Sequence, residues 1–496
     1  MKINKFLISL LVLSFSLTSC KDYLTILPEN NQSSDQYWQN KEEVEDVLGA
    51  GYVSLRSCQE YMFLWGEARG NGIYFVGATG SDGEKAAQKL QSMDILATNA
   101  LSKWDKLYVV INMANSVIQY APGVVDKDKS FNINIMKSDL SEAYFQRALA
   151  YFYLVRTWKD VPFVKTPYVN DAAPYAMKKT DGDVILKSCL TDLTTALDAA
   201  KEVFPESSLT DPINTKGRAT KWAIYSLIAD INLWLGNYDE SIAACEHVIN
   251  SGRVGLINGS IWFSNFYPGN SNESIFELQF SKPLAQTNSF LTWFDTNDNY
   301  TISQYTQLLY QLDENDVRGL NASYIATGKI WKYIGVANDG STKRNSTLQN
   351  DQNWIIYRLA DIYLMEAEAY IMKGTESDMN TGVGFINIIR KRAGLTSATG
   401  SSDQISNMTL LLEERQREFF AEGKNWFDLL RVGRRTGAGF KDLLINQVLQ
   451  VASANNIGML RAKLGDSNSW YLPINADELS ANPDLVQNPY YNNLGK

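Results

Sequence analysis

Histidine is almost missing: His247 is the single one among 496 residues. A two-histidine zinc motif, a histidine-rich iron site and any relay that needs two imidazoles are therefore excluded. Cysteine is scarce as well, with four residues and no CxxC or metal-type spacing. Once Cys20 is set aside for the reason given below, Cys58, Cys189 and Cys245 are an odd number, which makes no disulfide framework. Each lies among apolar helical neighbours, as in Ala243-Ala244-Cys245, and is expected to be a buried free thiol. Positive charge is in deficit: 46 Lys and Arg against 55 Asp and Glu give a formal charge of −9. That is the wrong sign for tracking a nucleic-acid backbone. No apolar run is long enough to cross a bilayer as a helix. What the chain does have is rings: 12 Trp, 26 Tyr and 20 Phe, 12% of all residues. An acidic, aromatic-rich globular chain with one imidazole is expected to bind something rather than transform it.

The first residues, MKINKFLISLLVLSFSLTSC, combine basic Lys2 and Lys5 with an apolar run from Phe6 to Leu17. The run is too short to span a membrane and has the length of a signal-peptide core. Its ending, Leu17-Thr18-Ser19-Cys20, resembles the bacterial lipobox. Residues 1–19 are thus expected to be a lipoprotein signal peptide, with Cys20 lipidated and heading the mature chain. Such an anchor holds a protein on a membrane without crossing it.

Beyond it the pattern is mainly α. Ser141 to Trp158 is apolar nearly all round, as in a helix buried on most faces, and Val161-Pro162 then stops it. Thr220 to Gly252 reads as two helices, one to Leu235 and one to Ile249, about a Gly236-Asn237-Tyr238 turn. Gly236, Tyr238 and Ile242 fall where a tetratricopeptide unit places a turn glycine, an aromatic and an aliphatic residue, although Ser241 replaces the usual alanine. Trp354 to Gly374, followed by Gly384 to Ala393, is read as a second such pair. Helical scaffold is expected over 37–65, 101–254 and 351–450, with a C-terminal extension over 451–496. Helical period fades over 66–100 and 255–350, where aromatics alternate with Asn, Ser, Gly and Thr. Long irregular stretches in a helical protein tend to carry function.

Five stretches together resemble the SusD/RagB family of Bacteroidetes outer-membrane nutrient-binding lipoproteins. They are the lipobox with Lys21-Asp22-Tyr23-Leu24, RALAYFYLVRTWKDVPFV at 147–164, GRATKWAIYSLIADINLWLGNYDESI at 217–242, LLEERQREFFAEGKNWFDLLR at 411–431 and WYLPINADELSANPDLVQNPYY at 470–491. The resemblance implies a tetratricopeptide-like helical-pair scaffold with a large irregular ligand-binding region. It also implies a lipid-anchored protein on the outer membrane, facing the cell exterior, that captures oligosaccharide and delivers it to a SusC-type TonB-dependent transporter. No cofactor and no metal are implied. The same capture role for peptides is one alternative, and a glycoside hydrolase working with two carboxylates is another.

The residues divide accordingly. Glu414, Glu418 and Glu422 share a helix face with arginines interleaved, and are read as an ion-paired helix rather than a catalytic pair, with Arg431 expected on Asp428. His247, near a helix C-terminus, is assigned to core or surface filling. Asp295 to Asn299 resembles the start of a calcium loop, but Tyr300 replaces its glycine and Thr306 its final glutamate, so it is set aside. Trp158, Trp222, Trp234, Trp354 and Trp426 lie at helical spacing and are assigned to packing. Trp262, Trp293, Trp331, Tyr74 and Phe75 lie in Gly- and Asn-rich segments. They are the expected ligand-binding rings, with Asn71 and Asp82, and Asn297 and Asp298 nearby, supplying polar groups for sugar hydroxyls.

Overall fold

The computed structural model describes residues 37–75, 82–169, 176–204, 212–296, 300–313 and 315–492. The expected signal peptide, 1–19, and Cys20 therefore lie outside the described residues. Helices account for most of what is described. We label α1 Lys41–Ser57, α2 Gln59–Glu67, α3 Asp105–Tyr120, α4 Ile133–Trp158, α5 Gly182–Leu197, α6 Lys221–Leu235, α7 Tyr238–Ile249, α8 Leu359–Lys373, α9 Glu376–Arg392, α10 Gln404–Glu418 and α11 Asn425–Gly433. Helix α1 packs on α3, α3 on α4, α4 on α5, and α5 on α6. The series continues with α6 on α7, α7 on α8 and α8 on α9. Each helix thus buries its apolar face on the next, which is how a helical-pair scaffold builds one continuous core.

Local chemistry sets the ends. Asn40 opens α1 with a capping box, its side chain accepting from Glu43 N while the Glu43 side chain reaches back. Between α6 and α7, Gly236 takes φ 86° and closes the first helix in the left-handed region. Helix α4 is buried along most of its length from Ser141 to Trp158, as its uniform apolarity predicts. Cys58, Cys189 and Cys245 are buried and unpaired. Burial pushes the Cys58 thiol up to about 12, so it carries no thiolate reactivity.

The second expected pair is corrected. Trp354–Arg358 is a strand, antiparallel to Ser274–Leu278, and α8 begins only at Leu359. All five strand residues are buried, so neither period shows in their apolarity, and their aromatic and β-branched side chains favour the pleat. Its partner helix α9 starts at Glu376 instead of Gly384, because the Thr375 side chain accepts from Asp378 N and caps it there. The irregular 66–100 stretch also holds a helix, Asp82–Gln91.

The 411–431 block is buried. Arg318 bonds Glu414 at 2.7 Å and Glu418 at 2.8 Å, while Arg358 bonds Glu273 at 2.7 Å, Glu422 at 2.9 Å and Glu418. Arg392 reaches Glu273 at 2.9 Å and Glu418, and Lys332 reaches Glu422 at 2.9 Å. Burial alone would raise the Glu418 carboxyl, but Arg392, Arg358 and Arg318 hold it well below the usual range. Arg431 pairs with Asp428 at 2.9 Å, as expected, and with Glu368 at 2.6 Å. These carboxylates are bolts between α10 and the irregular region.

Candidate functional site

The two irregular segments singled out by their composition meet. Strand β1, Ile73–Phe75, pairs antiparallel with β2, Tyr300–Ile302, placing Ile73 opposite Ile302, Tyr74 opposite Thr301 and Phe75 opposite Tyr300. Thr301 also bridges to Lys329, and Ile302 N donates to Gly328 O at 3.0 Å, so a third extended stretch lies alongside. Alternation sorts the ribbon into two faces. Ile73, Phe75, Tyr300 and Ile302 point inward and are buried, while Tyr74 is 47% exposed.

The inner face stands on a chain of rings that meet edge-to-face or tilted. Phe75 and Tyr300 lie 4.5 Å apart between centroids, Tyr300 and Trp293 5.4 Å, and Trp293 and Phe63 5.8 Å. On the side of Thr301 away from Tyr74, the third stretch carries charge. Asp295 accepts from Lys343 at 2.6 Å and from Lys329 at 3.3 Å. Burial would raise the Asp295 carboxyl, but those two ammonium groups hold it below its ordinary value. The residue that opened the calcium-like sequence is therefore a counter-ion to two lysines.

The approach to β1 is fixed from below. A Cβ on Gly66 would stand 1.8 Å from Gly423 O, and one on Gly70 1.8 Å from Asn425 Oδ1, so the chain passes only because those side chains are absent. Asn71 N donates to Asn425 Oδ1 at 2.7 Å, and Asn71 Nδ2 donates to Gln447 O at 3.1 Å. At the end of α2, buried Glu67 accepts from Gly423 N at 2.7 Å through Oε1, while Oε2 has no partner. Burial pushes its carboxyl up to about 8 from 4.5. The folded state then binds this proton more tightly than the unfolded chain, so stability declines as pH rises from about 4.5 to about 8. Glu67→Gln should raise stability at pH 7 by roughly 3 kcal/mol and change nothing near pH 4. Urea unfolding at the two pH values measures the difference, and an equal effect at both would reject the assignment.

Of the expected ligand-binding residues, only Tyr74 exposes a ring. Trp262, Trp293 and Trp331 are 1%, 6% and 0% exposed and belong to the core. Trp262 Nε1 donates to Glu418 Oε1 at 3.3 Å, and Trp331 Nε1 to Ala337 O at 2.6 Å. Gly- and Asn-rich sequence marks irregular backbone, and irregular backbone folded into an interior still buries its rings. Phe75 and Asn71 are buried too, as support for the ribbon. Asp82 begins the Asp82–Gln91 helix, and its side chain, like Asn297 and Asp298, lies outside the described residues.

One cleft has no signal in the sequence. It has a volume of about 430 Å3 and lies between α3, the 162–168 segment and the short helix Ala476–Ala481. Trp104, Tyr108 and Tyr168 line it with Glu478, whose carboxyl is raised by burial. Its amides are already engaged: Asn112 bonds the Tyr168 backbone and Asn482 the Met177 backbone, each in both directions. They tie segments together and present few free groups to a ligand.

Family models decide what the scaffold is. The model described as "SusD family" matches residues 272–491, and one described as "Starch-binding associating with outer membrane" matches residues 22–233. The chain belongs to the SusD family. A SusD-like protein of Formosa agariphila is 24% identical, with the alignment covering 99% of both chains. A stretch of 107 residues is 34% identical to the starch-binding protein SusD of Bacteroides thetaiotaomicron, covering 22% of this chain and 18% of that one. Among solved structures, a SusD superfamily protein of Bacteroides fragilis superposes with a TM-score of 0.73 at 20% identity, covering 92% of this chain and 100% of the other. A laminarin-binding SusD-like protein gives 0.70 at 20% identity, covering 91% and 99%. The mainly helical, tetratricopeptide-like architecture expected from the sequence is the architecture of these SusD-family structures.

Proposed function

We propose that this chain is a glycan-binding lipoprotein of the cell surface that captures oligosaccharide and passes it to a SusC-type TonB-dependent transporter. Lipidation at Cys20 would hold it on the outer membrane, facing outward. The observation that carries the reading is the β1–β2 ribbon: one exposed ring, Tyr74, beside Thr301, across which lies the Lys329–Asp295–Lys343 cluster, on an aromatic base. A pyranose presents a flat C–H face ringed by hydroxyls, and a ring edged with charged and hydroxyl groups matches both parts. The laminarin-binding relative of the same fold supports glycan as the cargo. Capture of this kind involves no chemistry, and an open, wet site gives modest affinity suited to onward transfer.

Affinity electrophoresis of the purified mature chain in gels containing laminarin, starch, xylan or mannan tests it. Retardation by at least one polysaccharide is expected, and Tyr74→Ala should weaken it about tenfold, the equivalent of ~1.4 kcal/mol. Binding to peptides but to none of these glycans would transfer the cargo to the peptide alternative. New reducing ends released from the bound polysaccharide would overturn the binder reading.

A further inference from the structure

Trp222 departs from the other tryptophans that the sequence assigned to packing. Trp158, Trp234, Trp354 and Trp426 are all buried, whereas Trp222 is only partly so. It sits in the first turn of α6, with Tyr225 one turn further on. Their rings are 6.5 Å apart and inclined by 26°. On the neighbouring helix, the imidazole of exposed His247 stacks on Tyr225 at 4.3 Å and 21°. Three rings in nearly parallel planes thus line the outer face of the α6–α7 pair, along an open hollow of about 440 Å3.

Lys221, Glu246 and Asn250 edge the hollow. None of these three side chains, and neither the Tyr225 hydroxyl nor the imidazole, makes a hydrogen bond or ion pair among the described residues. In the α3 cleft, by contrast, the amides are engaged by backbone. One ammonium and one carboxylate offset each other here, so the hollow favours neither an anion nor a cation. Ring faces, free donors and acceptors and balanced charge describe a receptor for a neutral polyhydroxylated ring. Trp222 and Tyr225 pack one side against the core, and Trp222 Nε1 donates to Glu202 O at 3.1 Å; packing does not account for their outer surface or for the unengaged polar groups around it.

We propose that the α6–α7 face is a second carbohydrate site, on which a pyranose of a neutral oligosaccharide stacks on Trp222 and Tyr225 and meets Glu246, Asn250 and Lys221 through its hydroxyls. It uses residues separate from the β1–β2 ribbon and stands whether or not the ribbon binds glycan. Two sites on one chain would hold a long polysaccharide at two points, raising effective affinity without tightening either site.

The single histidine makes the test direct. In tag-free protein the ring protons of His247 give one imidazole signal set, within the proposed site. Laminarihexaose, maltohexaose, cellohexaose, xylohexaose and mannohexaose would each be titrated at constant pH while that signal is followed by proton NMR. At least one should shift it with saturation, on the order of millimolar, in the wild type and equally in Tyr74→Ala. Trp222→Ala should weaken the response about tenfold or more. Asn250→Ala, on an exposed residue that leaves packing intact, should weaken it severalfold, and it decides the matter if Trp222→Ala unfolds. No shift with any of the five sugars, or a shift with unchanged midpoint in Asn250→Ala, would overturn the site.

Discussion

Arg358→Met should unfold this protein more readily than any surface change, lowering stability by about 3–5 kcal/mol. Arg358 is fully buried and bonds Glu273, Glu418 and Glu422, each itself without solvent exposure. Methionine fills much of the volume but removes the charge, leaving carboxylates in a low-dielectric interior with fewer cations. Arg392 still reaches Glu273 and Glu418, and Lys332 still reaches Glu422, so the loss is partial. Thermal unfolding should show the midpoint fall on the order of 5–10 °C. An unchanged midpoint would mean that the network contributes nothing net. The consequence reaches the site, because Arg358 ends the strand before α8 while Glu418 ends α10, the helix on which the irregular region is fastened.

Trp331→Ala should cost a similar amount, about 3–5 kcal/mol, by opening a cavity the size of an indole. Its ring is wholly buried, and the hydrogen bond from Nε1 to Ala337 O would go with it. The direction matters more than the size. A tryptophan serving as a platform would lose binding and keep the fold. This one should lose stability and, below its unfolding transition, keep whatever affinity Tyr74 provides. Comparing urea midpoints with glycan retardation for Trp331→Ala and Tyr74→Ala separates the two roles. A Trp331→Ala protein that unfolds normally but no longer binds would restore the ring to the site.

The scaffold was legible because it is written in local signals. Gly236 between two apolar helices fixes the α6–α7 turn, and the apolar length of Ser141–Trp158 declares a central helix. The Trp354–Arg358 strand was not legible, since five consecutive buried residues erase both the helical and the strand period. The irregular stretches 66–100 and 255–350 show in the sequence only as a change of composition, and their meeting does not show at all. Its register depends on Phe75 finding Tyr300, a contact across more than two hundred residues that no local pattern encodes. Exposure was the least legible property of all. Trp262, Trp293 and Trp331 looked available because their neighbours are polar, yet those neighbours turn the backbone while the rings go inward. Trp222 looked like core because it lies at helical spacing, yet its ring is only partly buried.

Capture of glycan at the ribbon is the central claim, and a crystal structure of the mature chain with an oligosaccharide it retains is its most direct test. Density for a pyranose packed against the Tyr74 ring, with hydroxyls within hydrogen-bond distance of Thr301, Lys329 or Lys343, is the result expected. A sugar lying in the α3 cleft against Trp104 and Tyr108, with the Tyr74 ring bare, would contradict it.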